Sequence, residues 1–307
     1  MRRFAVILLL ACSAGVYPRL AFAHGVLGDY IFIEPIVTQD PTPANELNIL
    51  QPTWARSSDA NTYSIASSIE KILWIDQNFM PRVSAGVSSS WSYVSPYHGP
   101  SLNGFGGLTV FAKYAFFYSL EHEFLLSGAI QLQIPVGDQH IQSENHPSLG
   151  PVLLWEKALA DLPNSPVIKY LRPFGIQSDF GYVPALSGHT SHHMFADAVI
   201  EYSLPYLSNN VKDLGLPRPF RNMFLFNEIN YDQLITGRAG ETFPILLATP
   251  GIAYVNYHYE LAVATQFALN HASRAGNHAA VLGLLDIFYD SLFPAIGNWT
   301  INKGFGE

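Results

Sequence analysis

The 307-residue chain carries 16 Lys and Arg and 24 Asp and Glu, which together make up 13% of its residues, while hydrophobic residues reach 49% and aromatic residues 13%. Soluble globular domains carry about 25% charged residues, and high hydrophobicity with low charge excludes intrinsic disorder. The formal net charge of -8 without a basic run argues against nucleic acid as a partner.

The first residues have the pattern of an export signal. Arg2 and Arg3 precede an apolar stretch, Phe4 to Val16, that is too short to cross a bilayer stably as a helix. Ala23 ends a small-x-small cleavage site, so residues 1–23 are predicted to be a signal peptide. Cys12 follows a Leu-Leu-Ala sequence that resembles a lipobox, which leaves a lipoprotein as the alternative.

The mature chain lacks cysteine and long apolar segments. Cys12 is the only cysteine, so no disulfide stabilises the exported protein. No segment after residue 23 has 18 uninterrupted apolar residues, so helical membrane spans are not expected. Residues 24–46, with an Asp-Pro-Thr-Pro sequence at 40–43, are predicted to be a lead-in segment that does not belong to the wall of the fold.

Period-two alternation in runs of about 10 residues recurs along the rest of the chain, as in the strands of a transmembrane barrel. From Arg82 to Tyr93, apolar side chains such as Val83, Val87 and Trp91 share one face, and small polar side chains occupy the other. The candidate strands are 47–56, 61–75, 79–95, 104–118, 121–135, 148–158, 171–184, 192–204, 220–235, 243–255, 257–270 and 277–290.

These strands predict an all-β fold, an antiparallel transmembrane β-barrel of about 12 strands, with 10 or 14 as alternatives. The barrel is expected to span residues 47–293, with Phe293 closing the last strand and 294–307 forming a C-terminal tail. Lipid-facing Trp and Tyr near the strand ends suit interfacial girdles. The predicted location is the bacterial outer membrane, with its lipids and the barrel-assembly machinery as partners.

A soluble fold remains the alternative to the membrane barrel. An exported sandwich or lipocalin-like barrel would also alternate, but its apolar face would point inward. Such a protein needs a charged exterior, and a charged fraction of 13% is low for that purpose. The membrane barrel is therefore favoured over a soluble periplasmic binder or copper protein.

Several short motifs near turns and strand ends resemble those of a known family. The family is a group of transporter-like outer-membrane proteins, similar to the phenol-degradation (meta-pathway) outer-membrane proteins, and the resemblance covers most of residues 25–294. It implies a barrel for the passive passage of small molecules, with aromatic or apolar compounds among the candidates, and it supplies no catalytic residues. The motifs are Gly28-Asp29, Glu46-Leu47-Asn48, Glu121-His122-Glu123-Phe124, Leu171-Arg172-Pro173-Phe174, 202–207 (YSLPYL) and 211–217 (VKDLGLP).

Charged residues on the polar faces are the candidates for lining the lumen. Five acids and two bases would favour cations or neutral solutes and repel anions. The alternative is that they pair with one another and fill a plugged barrel with a structural or surface-binding role, since a barrel of this size is narrow. The candidates are Arg82, Lys113, Asp197, Glu201, Glu228, Asp232 and Glu260.

Histidines offer a second, weaker set of candidates. His189, His192 and His193 lie in or beside a predicted turn, but their spacing is not a defined metal motif. His24 would become the first residue after cleavage and, followed by Gly25, could chelate copper through its amino group and imidazole. The chain has no G-x-S-x-G, P-loop or H-E-x-x-H motif, so no enzyme activity and no cofactor are predicted.

Overall fold

The computed structural model describes residues 25–78, 80–141, 146–186, 192–235, 244–276 and 278–301. The predicted signal peptide with Cys12, the copper candidate His24, His189 and the last residues of the tail lie outside these ranges. Among the described residues, no helix is long and apolar enough to cross a membrane.

Twelve antiparallel strands close into a barrel, as the sequence predicted. Each strand pairs with its neighbours in the chain, and the last strand pairs with the first, Phe288 lying opposite Glu46. A two-stranded hairpin, β1 (Val26–Leu27) and β2 (Tyr30–Ile31), precedes the barrel. The barrel strands are β3 Glu46–Arg56, β4 Ala60–Ile75, β5 Pro81–Pro96, β6 Leu102–Ser119, β7 Phe124–Ile134, β8 Ser148–Ala158, β9 Phe174–Val183, β10 His192–Ser203, β11 Met223–Ile235, β12 Ile245–Val255, β13 Tyr259–Ala268 and β14 Ala279–Phe288.

Several predicted strand boundaries differ from the structure by two or three residues; β7, for example, begins at Phe124 rather than at residue 121. Turns of 3-10 helix at Ile168–Leu171 and Phe220–Asn222 occupy residues predicted to begin β9 and β11. β14 ends at Phe288, and the chain continues as the short helices Tyr289–Leu292 and Pro294–Gly297. Phe293 therefore lies beyond the last strand rather than closing it.

The two faces of the wall have opposite chemistry. Outward-facing Phe105, Phe116 and Phe267 are 63%, 52% and 51% exposed, whereas inward-facing Glu156 and Glu228 are 0% exposed. A soluble barrel needs the reverse on its outer surface, because water does not stabilise a continuous apolar band. The fold is a transmembrane β-barrel, and the soluble lipocalin-like alternative does not describe it.

The two ends of the barrel are named here by their connections. The base is the end where β3 begins at Glu46 and β14 ends at Phe288, and the mouth is the opposite end. The short turn after Ile75, which was predicted to face the periplasm, lies at the base. The loop between Ile134 and Ser148, which was predicted to face outward, lies at the mouth.

Candidate functional site

The lead-in hairpin covers the base of the barrel. Gly28 makes its turn with φ at +63°, and a Cβ there would lie 2.6 Å from the carbonyl oxygen of Leu120, so a side chain would be both strained and crowded. Tyr30 and Phe32 are fully buried, and their ring centroids lie 4.8 Å apart. The Tyr30 hydroxyl donates to the carbonyl of Pro173 at 2.8 Å, which ties the hairpin to the loop before β9.

The next part of the lead-in, residues 33–45, lies inside the lumen and is called the plug segment here. Ile33 and Ile36 are 1% and 5% exposed and belong to one buried apolar cluster, against which Val37 also packs. The partners in this cluster come from the inner faces of five successive strands, β10 to β14. They are Val199, Phe224, Phe226, Ala253, Val255, Ala262, Ala264, Leu282 and Leu284.

A single carboxylate holds the middle of the plug segment. Glu228, fully buried on β11, accepts the backbone N–H groups of Ile36 at 2.9 Å, Val37 at 3.0 Å and Thr38 at 2.7 Å. It also accepts the Thr38 hydroxyl at 2.8 Å. The plug segment has no regular secondary structure in this region, so its buried N–H groups need acceptors from elsewhere. The wall supplies them.

Four more wall carboxylates do the same along the segment, among them Glu70 on β4, which accepts the N–H of Ala44 at 3.1 Å. Glu201 accepts the N–H of Ile33 at 3.2 Å, and Glu260 accepts that of Glu34 at 3.1 Å. Asp179 accepts the N–H of residue 39 at 2.6 Å. Glu201, Glu228 and Glu260 were predicted to line the lumen, and in the structure these acids bind a peptide backbone inside the barrel.

The remaining sequence candidates occupy different depths. Lys113 is buried in the lumen, with its ammonium 3.2 Å from Glu70 and 3.8 Å from Asp40. Asp197 is partly buried in the lumen, and its carboxylate accepts the N–H of residue 231 at 3.1 Å. Asp232 lies at the mouth, and its side chain is 53% exposed. Arg82 lies at the base.

Arg82 is the second residue of β5 and belongs to a polar group at the turn between β4 and β5. This group lies at the base, away from the middle of the barrel wall. Its guanidinium lies 3.0 Å from the carboxylate of Asp76. Desolvation would raise the pKa of Asp76, but it is outweighed by backbone N–H groups of Met80 and Asn78, the hydroxyl of Tyr118 and the charge of Arg82, and the pKa lies below its usual value. The group stabilises the turn rather than the lumen.

The histidines do not converge on a metal-like site in the part of the chain that is described. His192 and His193 are neighbours on β10, so their side chains point to opposite faces. His192 stacks against Tyr182 with the centroids 6.0 Å apart, and His193 lies 3.7 Å from Asp232 at the mouth.

Three carboxylates near the base form a group that the sequence did not reveal. Oxygen atoms of Glu34, Asp40 and Glu46 all lie within 4.8 Å of one another, and this group is called the carboxylate triad here. At that separation two full charges repel by about 3–4 kcal/mol at an effective dielectric constant of about 20. The triad joins two residues of the plug segment to the first residue of the wall.

The sequence signals for these acids differ. Glu70 continues the alternation of Ser64, Ala66 and Ser68 in β4 and could have been added to the candidates from its spacing alone. Glu34 and Asp40 could not, because their position depends on the lead-in folding back into the lumen.

A cavity of about 420 Å³ lies between the plug segment and the opposite wall. It extends from the middle of the lumen to Glu46, Glu70 and Lys113 near the base. The wall facing the plug segment comes from β4 to β7 and is mostly small or polar. Its inward-facing members include Ala66, Ser68, Ser88, Ser90, Thr109, Gln131 and Gln133. The cavity thus lies on one side of the plug segment, and Lys113 and Gln131 reach across it to Thr42 and Gln39 of the segment.

No protein family and no curated protein matches this chain in sequence. In structure it is similar to an outer membrane channel from Pseudomonas putida F1, with a TM-score of 0.54 and 10% identity over 83% of this chain and 100% of the channel. The NanC porin follows with a TM-score of 0.47 and 9% identity over 78% of this chain and 98% of the porin. The KdgM porin in complex with disordered oligogalacturonate has a TM-score of 0.43 and 9% identity, covering 78% of this chain and 97% of that porin.

At these identities the likeness shows the fold alone, which is that of bacterial outer-membrane barrels. The family resemblance implied an outer-membrane barrel, and this part of the expectation is confirmed. Nothing in the comparisons points to the phenol-degradation family in particular.

Proposed function

We propose that this protein is an outer-membrane channel through which small polar solutes pass between the plug segment and the wall of β4 to β7. The observation that carries the proposal is the division of the lumen. Glu228 and the apolar cluster hold the plug segment against one side, and a cavity of about 420 Å³ lies between it and the other side, where Glu70, Lys113 and Gln131 reach across to the segment.

The lining indicates which solutes suit this route. Side chains such as Ser68, Ser88 and Thr109 offer hydroxyl groups that both donate and accept hydrogen bonds. Towards the base, Glu46 and Glu70 add negative charge, and Lys113 offsets part of it. Neutral or cationic solutes are therefore favoured over anions.

Apolar aromatic solutes, which the family resemblance implies, fit this lining less well. Phe111 is the aromatic side chain of the cavity wall, and most of the other wall residues are polar or small. Phenol is therefore the aromatic solute with which the entry of polar solutes is compared. A non-enzymatic role and contact of the apolar outer band with lipid remain expectations that accompany the proposal.

The test is flux through the purified protein in planar bilayers and liposomes. We expect discrete conductance with cation preference, and entry of a small neutral polyol faster than phenol above the lipid background. Ser68→Trp, which fills the cavity, should reduce the conductance several-fold. Ile69→Trp is the matched control, because Ile69 is the next residue of β4 and faces lipid with 43% of its surface exposed.

The second candidate is a plugged barrel with a structural or surface-binding role. The burial of Tyr30 and Phe32 at the base favours it, because these rings pack in one cluster with wall residues such as Leu125 and so fill part of the barrel there. Absence of conductance and solute entry in a correctly folded, heat-modifiable protein would select this alternative and reject the channel.

A further inference from the structure

We propose that the carboxylate triad of Glu34, Asp40 and Glu46 is a divalent-cation site that ties the plug segment to the barrel wall. The site does not depend on the barrel conducting solutes. The chemical class is a hard cation with oxygen ligands, and Ca²⁺ is the probe.

The first argument is the distance between the oxygens. Each residue of the triad brings one carboxylate oxygen to within 4.8 Å of the other two. Calcium binds oxygen ligands at about 2.3–2.6 Å, so two ligands of the same ion lie no more than about 5 Å apart. The three oxygens are therefore spaced as ligands of a single ion would be.

The second argument is a buried, unpartnered polar atom on a residue that lines the same cavity as the triad. Asn48 lines the same cavity and lies two residues after Glu46 on the inner face of β3. Its side chain is only 6% exposed, and its Oδ1 atom is buried without a hydrogen-bond partner. A neutral carbonyl oxygen left unsatisfied is costly in a protein interior, and it is a ligand type that calcium commonly uses.

The third argument is charge. Asp286 is fully buried opposite Asn48 in the ladder between β14 and β3, which adds a further carboxyl group on this side of the lumen. Lys113 lies 3.8 Å from Asp40, but it also forms a closer pair with Glu70 at 3.2 Å. One ammonium shared between two acids leaves the triad in need of additional positive charge.

The donor set indicates the kind of ion. Carboxylate and amide oxygens suit Ca²⁺ and Mg²⁺, whereas zinc and copper favour nitrogen and sulfur ligands. The triad contains neither His nor Cys. Calcium tolerates irregular coordination and partial replacement of ligands by water, while magnesium requires near-octahedral geometry.

The positions of the three triad residues determine what a bound ion would stabilise. Glu34 and Asp40 are at either end of the part of the plug segment that Glu228 holds, and Glu46 begins β3. An ion shared by all three would join both arms of the plug segment to the wall. If the barrel conducts, as proposed above, the bound ion would hold the plug segment in place beside the route.

The experiment is equilibrium dialysis of the detergent-purified mature protein against radioactive Ca²⁺, with no flux measurement involved. We expect one ion per protein, with a dissociation constant in the range of about 10⁻⁴–10⁻³ M seen for extracellular calcium modules. Asp40→Asn and Glu46→Gln should each weaken binding at least tenfold. Asn48→Leu should weaken it, and Asn48→Asp should preserve it.

Asp197→Asn is the matched control, because it removes a lumen carboxylate that lies outside the triad. Heat-modifiable migration on gels checks that every variant has folded. Failure of the wild-type protein to bind Ca²⁺ at about 5 mM, or equal binding by wild type and both triad variants, would overturn the site. Since dialysis reports binding alone, this failure is distinguishable from a failure of the channel proposal, which appears only as absent conductance.

Discussion

The carboxylate of Glu228, in the middle of β11, accepts both the backbone N–H and the hydroxyl of Thr38, at 2.7 and 2.8 Å. This relationship links a wall residue to a segment that lies 190 positions earlier in the chain. It explains why a buried acid is placed in a lumen that also contains an apolar cluster. The acid satisfies an irregular backbone that would otherwise have no acceptors.

Removing this acceptor should loosen the plug segment. Glu228→Ala leaves the N–H groups of Ile36, Val37 and Thr38 without their acceptor, at a cost of about 1–3 kcal/mol for each group that water does not reach. We expect a lower thermal unfolding temperature and, in bilayers, a larger and noisier conductance. Thr38→Val is the control: it removes only the hydroxyl bond and should cost about 1 kcal/mol. An unchanged conductance in Glu228→Ala would show that the position of the plug segment does not limit the conductance.

The apolar anchor of the plug segment should contribute separately. Ile36 is 5% exposed and packs within the cluster that includes Phe224 and Phe226. Ile36→Ala should destabilise the protein by about 2–4 kcal/mol, because it removes buried methyl groups and leaves a cavity. Thermal unfolding followed by circular dichroism measures the change. Ile65→Ala on the lipid-facing side, where Ile65 is 41% exposed, should cost much less.

Lys113 should stabilise the buried acids around it. The ammonium lies 3.2 Å from Glu70 and donates to the carbonyl oxygen of Thr42 at 2.9 Å. Lys113→Met removes one partner of a buried ion pair, which typically costs about 3–5 kcal/mol. Adding Glu70→Gln should restore part of the loss, and a double-mutant cycle of unfolding temperatures measures the coupling. Strict additivity of the two substitutions would show that the pair does not act as a unit.

The turn between β4 and β5 should make the stability of the protein depend on pH in a defined way. The pKa of Asp76 lies below its ordinary value of 3.8, so its ionised form is favoured in the folded protein. Its contribution to stability is therefore complete at neutral pH and is lost as the pH falls through the lowered pKa. Asp76→Asn should lower the unfolding temperature at pH 7, and the difference from wild type should shrink below about pH 4.

Glu121→Gln provides the comparison for this turn, since Glu121 is exposed in the next turn at the base. It should change the unfolding temperature little at either pH. The unfolding temperatures of Asp76→Asn and wild type are compared at pH 7 and pH 3. If their difference stayed constant, the ionised carboxylate would not be the source of the stabilisation.

The strands of the barrel wall could be predicted from the sequence because the alternation that marks them is a local pattern. In β5, alternation between apolar residues such as Val87 and small polar residues such as Ser88 reports which face each side chain occupies, without knowledge of the partner strand. Together with the turns, this alternation predicted twelve strands and the inward orientation of Glu201, Glu228 and Glu260. In β14, Leu282 and Leu284 face inward, so the same rule did not reveal Asp286 as a lumen residue.

By itself, then, the sequence determined the class of fold, because periodicity, low charge and the absence of long apolar segments depend only on neighbours along the chain. Only the tertiary structure decided how the lumen is filled. The lead-in has no periodicity that would show it folding back, and its partners Glu228, Glu260 and Glu156 lie more than a hundred residues away. Whether an inward acid faces solvent, a peptide backbone or another acid depends on what lies across the barrel, and that is information no local pattern contains.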